Sequence, residues 1–409
     1  MRQEHVDILI IGAGPSGAVA AGLLRKHGRS VLVLEKELFP RFSIGESLLP
    51  QCMEFIAEAG MLSAVVEAGF QLKNGAAFCH RERYVDFDFR EKFSPGWGTT
   101  YQVRRAEFDH LLAHEAARAG ADIRYRHEVI AVDVNGPQPH VVVRDGGGSA
   151  YGVQAGFILD ASGFGRTLPR LLALDLPSKF PSREALFTHI QDHVSSADFD
   201  REKIRITIHP QQDEVWFWNI PFADGRSSVG VVAPADVLAN YLGSNDQRLR
   251  ALFAEDHGLN KMLGKAVWDT PARSIKGYAA TVKTLCGPGY ALLGNAGEFL
   301  DPIFSSGVTI ALKSASLAVA CLERERLGES LDWHRHYARP LQLGVDTFRA
   351  FVEAWYDGSL QRIIFFEPAS PEIRRMISSI LAGYAWDNAN PYVADPVRKL
   401  KVLEQLCRR

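Results

Sequence analysis

Apolar positions along this chain follow two different periods. Val6 to Ile11 is an unbroken apolar run, as expected of a strand covered on both faces. Ala18 to His27 is rich in Ala and Leu and predicts a helix. Ser30 to Leu34 predicts a second buried strand, closed by Glu35. This is the opening of a β-α-β unit. Further on, residues 80–103, 140–158 and 203–233 carry alternating or β-branched stretches, which predict an antiparallel sheet assembled from several segments. Asp145 to Gly148 reads as a hairpin turn. Residues 307–325 return to helical spacing. From about 331 onward Pro368, Pro371, Pro391 and Pro396 divide the chain into short helices.

Length and composition narrow the classes. The 409 residues suggest two or three structural units, and 46% hydrophobic with 23% charged residues is ordinary for a globular chain. Lys and Arg number 46 against 48 Asp and Glu, so the basic excess of a nucleic-acid-binding surface is missing. Five cysteines, none in a CxxC pair, argue against a disulfide framework or zinc cluster and fit a reducing, cytoplasmic setting. The N-terminal apolar run is too short for a signal peptide. No stretch reaches the roughly 20 apolar residues expected of a membrane span.

The strongest chemical signal is Gly12-x-Gly14-x-x-Gly17 between the first strand and the first helix, with Glu35 ending the next strand. Gly12 permits the turn, Gly14 lets a pyrophosphate approach the backbone, and Gly17 lets helix and strand pack closely. The helix N-terminus supplies free N–H groups for phosphate, and Glu35 would accept from ribose hydroxyls. The motif alone does not separate FAD from NAD, and no second copy marks a nicotinamide domain.

Three segments resemble flavin monooxygenases of the glutathione-reductase-like class. They are Tyr101 to Asp109 with Arg105, Ile158 to Gly163 with Asp160, and Leu293 to Pro302, where Asn295 replaces the usual Asp. Four more segments resemble flavin-dependent halogenases of the phenol and pyrrole branch. These are Phe39-Pro-Arg-x-x-Ile-Gly-Glu-Ser-Leu-Leu-Pro50, Lys73-x-Gly-Ala-x-Phe78, Trp216-x-Trp-x-Ile-Pro221 with Val215 in place of the usual Gly, and Asp301-Pro-Ile-Phe-Ser-Ser-Gly-Val308. The similarity spans residues 1 to about 330.

The resemblance implies an α/β fold with a Rossmann-like, glutathione-reductase-like FAD-binding domain from 1–69, 101–170 and 283–330. It implies a substrate-side antiparallel sheet domain from 70–100 and 171–282, and a helical region at 331–409 covering the substrate. It adds Ser16, Arg41, Ile44, Gly45, Gly307 and Val308 to the flavin contacts, alongside Asp160, Asn295 and Asp301. It also implies FADH2 from a separate NAD(P)H-dependent flavin reductase, and a halide held by Ser305, Ser306 and Gly307. The reaction would be electrophilic halogenation of a phenol, pyrrole or indole, free or on an acyl or peptidyl carrier protein. Hypohalous acid would pass Trp216, Trp218, Ile220 and Pro221 to Lys73, with Glu46 and Ser47 along its path. A lysine in an apolar wall has a lowered pKa, which favours the nucleophilic amine, and Gly75 and Ala76 would leave room beside it. The alternative is a monooxygenase or reductase that takes NAD(P)H directly and acts on an aromatic or polyene.

Other features read as structural. His189 and His193 are expected on a solvated surface, without metal. Phe348, Phe351, Trp355, Tyr356, Phe365 and Phe366 are expected as core residues of the last helices and as walls for an aromatic ring. Val397, Leu400, Leu403 and Cys407, with Arg398, Lys399, Lys401, Arg408 and Arg409, form a basic amphipathic terminal helix.

Overall fold

The computed structural model describes residues 2–178, 180–195 and 199–408; Arg409 of the terminal basic run lies outside them. Two large sheets organise the chain. The first has the order Cys286–Gly287, Tyr290–Leu292, Ala150–Asp160, Gln3–Ile11, Val31–Glu35, Asp122–Tyr125. Gln3–Ile11 runs parallel to both neighbours, and its last four residues are buried, as the apolar run predicts. The helix Pro15–Lys26 follows, then Val31–Glu35, buried at every position. Helices Arg105–Arg118 and Ser306–Arg326 pack against Pro15–Lys26.

The second sheet has the order Arg273–Lys276, Arg183–Gln191, Arg226–Pro234, Trp216–Pro221, Lys203–Ile208, Gly75–His80, Arg83–Asp88. Its pairings are antiparallel except that Lys203–Ile208 runs parallel to Gly75–His80. Trp216–Pro221 is buried at every position because both faces are covered. One face packs Phe217, Val229 and Val231 against Leu249, Leu252 and Phe253 of helix Asn245–Glu255. The other face looks toward the first sheet.

The expected antiparallel assembly is therefore divided. Residues 203–233 belong to the second sheet, but 140–158 belong to the first. His140–Arg144 and Ala150–Asp160 form a hairpin across the predicted turn at 145–148, and Ala150–Asp160 then runs on as a parallel central strand. Alternation marks its exposed start and continuous burial its end, so local pattern alone places it on the wrong sheet.

Pro371, Pro391 and Pro396 each stand in the first turn of a helix, where the missing N–H costs nothing. By length and composition alone helix Ser306–Arg326 could cross a membrane, but 72% of its most apolar window is buried within this fold, as in a core helix. In the terminal helix Pro396–Cys407 the buried face is Leu400, Leu403 and Glu404, while Val397 is exposed. The aromatic cluster holds as expected, with Phe348, Phe351, Trp355 and Phe365 all buried.

One position tests how the C-terminal helices are seated. Gly344 lies inside helix Arg339–Tyr356, where alanine would ordinarily stabilise by about 1 kcal/mol. A Cβ there would sit 2.1 Å from the Trp386 ring. Overpacking costs about 1–3 kcal/mol, so the sign reverses. Gly344→Ala is expected to lower the urea midpoint of unfolding, with a net loss of roughly 1–2 kcal/mol.

Candidate functional site

The glycine turn takes the geometry its spacing predicts. Gly12 has φ +100°, and a Cβ on it would lie 2.6 Å from the Ala161 carbonyl. A Cβ on Gly17 would lie 2.0 Å from the Gly12 carbonyl. A Cβ on Gly14 would meet only the Arg41 guanidinium, at 3.5 Å, so this position stays open. Helix Pro15–Lys26 has no side-chain cap, which leaves its first N–H groups free for an anion. Glu35 is buried, accepts from the Ala13 N–H at 3.0 Å and the Glu37 N–H at 2.9 Å, and borders the same opening.

These residues open into a cavity of about 380 Å³ between the two sheets. Gly12, Gly14, Ser16 and Glu35 of the glycine turn line it, as do Arg41, Ile44, Gly45, Arg105 and Asn295. Glu46, Ser47, Trp216, Trp218, Ile220, Ser305, Gly307 and Val308 line it as well. Arg41 and Arg105 are joined through one buried carboxylate: Asp109 accepts from Arg105 at 2.7 and 3.0 Å and from Arg41 at 3.3 Å. A further Arg105 N–H donates to the Ile44 carbonyl at 2.6 Å, fixing the loop before Gly45. Asp109 stands four residues after Arg105 on one helix, a spacing visible in the sequence whose role as a joint was missed.

Two aspartates expected at the cofactor do not border the cavity. Asp160 is fully buried and accepts from the Ser162 N–H at 2.9 Å and the Leu168 N–H at 2.7 Å, so it fastens the turn that forms the wall. Asp301 accepts from the Ile303 N–H at 3.1 Å, the Tyr356 hydroxyl at 2.8 Å and the Tyr278 hydroxyl at 3.2 Å. Burial raises the carboxyl pKa of both. Gly17, Ser306 and Pro221 also sit behind the lining. Ser305 has φ +55°, and helix Ser306–Arg326 starts after it with no side-chain cap, so unpaired N–H groups stand beside lining residues Ser305, Gly307 and Val308.

Trp216 and Trp218 face the cavity together, their rings 5.9 Å apart. The Trp216 N–H donates to Tyr356 at 3.0 Å and the Trp218 N–H to Ser228 at 3.1 Å. Tyr356 thus ties the tryptophan wall to the Asp301 turn, a connection between residues 140 positions apart that no local pattern reveals.

Lys73 has no exposed surface. It ends the strand Gln71–Lys73, which pairs with Thr100–Gln102, and Ser47 bridges to Gln102 from the far side. This arrangement brings the Lys73 amine 2.7 Å from Ser47 Oγ and 2.8 Å from the Leu48 carbonyl, with the Phe89 ring 5.4 Å away. Burial lowers its pKa to about 7. Lys73 does not itself line the cavity; Ser47 stands between. Gly75 does not make room beside the amine. A Cβ there would lie 2.2 Å from the Phe87 carbonyl, so glycine admits the neighbouring strand instead.

His189 corrects another expectation. It is not solvated surface: its Nε2 lies 2.7 Å from Glu46 Oε1, with 19% of the histidine side chain and 3% of the glutamate exposed. His193 is exposed. Among the described residues no group of three or more His, Cys, Asp or Glu is placed to hold a metal.

The open Gly14 position, the two uncapped helix starts, the Glu35 acceptor and the Arg41–Arg105 pair suit an elongated dinucleotide with its pyrophosphate at the glycine turn. Residues 5–283 match the FAD-binding domain family. The chain is 28% identical to a chlorinase of 1H-pyrrole-2-carbonyl groups on a peptidyl-carrier protein from Pseudomonas fluorescens, over 98% of this chain and 94% of that protein. It is 30% identical to a flavin-dependent halogenase of Armillaria mellea, over 78% and 69%. Among solved structures, a flavoprotein/dehydrogenase from Cytophaga hutchinsonii is 43% identical over 99% of each chain, with a TM-score of 0.94.

Asp109→Asn leaves the buried Arg105 guanidinium and the partly buried Arg41 guanidinium without their shared charge, a loss of about 3–5 kcal/mol in comparable buried pairs. FAD affinity should fall at least about tenfold, read by quenching of flavin fluorescence on titration. Lys73 predicts a pH effect on stability. The unfolded chain holds this proton up to about pH 10.5, whereas the folded chain releases it near 7. Stability therefore rises with pH across that window and is flat below it. Lys73→Met removes the ramp. Its urea midpoint should match wild type near pH 10 and exceed it at pH 7, by about 2–5 kcal/mol.

Proposed function

The chain belongs to the flavin-dependent halogenase family, and we propose that it installs chlorine or bromine on an electron-rich aromatic ring through Lys73. The observation that carries this reading is the wholly buried amine with a pKa near 7, one hydroxyl away from the flavin cavity. Bound FAD in its reduced form would supply, with O2 and a halide, hypohalous acid. The chain's residues do the rest. The uncapped N–H groups after Ser305 hold the halide beside the flavin. Trp216, Trp218 and Ile220 wall the passage and exclude water. Ser47 hands the oxidant to Lys73, whose neutral amine binds it by an N–H···O hydrogen bond or exchanges a proton for the halogen, releasing water. The ring is then attacked by an oxidant that never reaches solvent.

The tryptophan wall leaves little space for a nicotinamide ring, which supports reduction of the flavin by a separate NAD(P)H-dependent reductase. The peptidyl-carrier chlorinase among the relatives supports a pyrrole or phenol substrate tethered to a carrier protein. Five free thiols among the described residues fit a reducing, cytoplasmic setting. A second reading is favoured by the 43% identical flavoprotein/dehydrogenase: direct use of NAD(P)H to oxidise or reduce an aromatic or polyene, without halide.

The deciding assay supplies FAD, a flavin reductase with NADH, and chloride or bromide to a panel of phenols, pyrroles and indoles, with products read by mass spectrometry. Wild type is expected to give halogenated product, preferring one halide. Lys73→Ala should bind FAD and consume O2 as before while product falls more than about 100-fold. Steady NADPH oxidation by the isolated protein without reductase, and no halogenated product, would establish the second reading.

A further inference from the structure

The proposed chemistry has a proton requirement that the cavity must meet. Halide oxidation converts FADH2, O2, one halide ion and one proton into FAD, hypohalous acid and water. Two electrons come from the flavin and two from the halide, and all four reduce O2. The proton must come from solution, and Trp216, Trp218 and Ile220, which line the cavity, carry no ionisable group to bring it in.

We propose that Glu46 and His189 form the inlet for this proton. Glu46 borders the cavity directly before Ser47, which holds the Lys73 amine. Its Oε1 lies 2.7 Å from His189 Nε2, and the imidazole is 19% exposed while the carboxylate is 3% exposed. One group thus meets solvent and the other meets the reaction space, with a single hydrogen bond between them. Protonated His189 passes its Nε2 proton to Glu46, the carboxyl delivers it into the cavity as hypohalous acid forms, and the imidazole takes the next proton from water.

The pair is not needed merely to hold the loop. Phe42, four residues before Glu46, already stacks on Phe187 at 5.9 Å, and the Arg273 guanidinium lies 4.1 Å from its ring. The Glu46 backbone is fixed separately, because its carbonyl accepts from the Val103 N–H at 2.7 Å. The His189 ring packs edge-on against Phe222 at 5.3 Å, which sets its plane. The charged groups around the pair are Lys73 through Ser47, Arg105 at the Gly45 carbonyl, Arg104 across Phe222 and Arg273 across Phe42. Arg104 is paired with Asp224 and Arg105 with Asp109, whereas the Glu46 carboxylate is paired with His189 and borders the cavity.

The inference rests on the halogenation reading, and the experiment separates the two. Full-length protein with FAD, reductase, NADH and bromide is assayed for halogenated product per O2 consumed, from pH 6 to 9. His189→Gln keeps a donor to Glu46 but cannot relay protons. Its product per O2 is expected to fall at least about tenfold, more steeply at high pH, with FAD affinity unchanged. His189→Ala is expected to recover several-fold on addition of imidazole. A readout independent of turnover is the 15N-histidine spectrum of the flavin-free protein, in which the His189 Nε2 signal should shift in Glu46→Gln because its hydrogen-bond partner changes from a carboxylate to an amide. Wild-type product per O2 and pH profile in His189→Gln would overturn the inlet while leaving halogenation intact. A His189 Nε2 signal unchanged in Glu46→Gln would overturn it even if the histidine variants fail to fold. No halogenated product from wild type would overturn the halogenation reading and the inlet with it.

Discussion

An amine sealed from water is the constraint around which this molecule is arranged. Lys73 cannot keep an ordinary ammonium in that place without several opposing dipoles, and it has one hydroxyl and one carbonyl. Burial therefore favours the neutral form, which is the nucleophilic one. The seal is made by distant parts of the chain. The Phe93 and Ser94 N–H groups donate to Ser379, Ser378 donates to the Asp88 carbonyl, and Tyr384 donates to the Trp97 carbonyl. The loop before Thr100–Gln102, the strand paired with Lys73's own, is thereby tied to helix Pro371–Leu381 and the turn after it, almost 300 positions later.

Three buried carboxylates serve as fasteners around the cavity. Asp109 joins the two arginines, Asp160 orders the turn after the central strand, and Asp301 gathers two tyrosine hydroxyls and a backbone N–H. In each case the carboxylate is taken up by hydrogen bonds within the protein rather than turned into the cavity. Such an arrangement lets a flavin lie close to the chain.

The two sheets divide the labour. The parallel sheet ends in loops that build the glycine turn and the Asp160 turn, while the second sheet supplies the tryptophans and His189. Between them runs the segment from Phe39 to Pro50, touching Arg105 behind, Glu46's histidine in front and Lys73 through Ser47. A passage assembled from separate segments of the chain changes only when several anchors move together, which is a physical reason for the density of hydrogen bonds along this loop.

The chain's own order of residues determined the opening β-α-β unit, the roles of Gly12, Gly14 and Gly17, the position of Glu35 and the tryptophan stripe. These depend on local spacing: which residue permits a turn, which face a side chain takes, which helix start is free. The resemblance of short segments to known halogenases also placed Lys73, Ser47 and Glu46 near one another. Folding alone decided that 140–158 joins the first sheet, that Asp160 and Asp301 brace turns, that His189 reaches Glu46, and that Tyr356 ties Trp216 to Asp301. Each of those outcomes is a meeting of residues far apart in the chain. Periodicity records which face of an element is apolar; it carries no record of what comes to lie against that face.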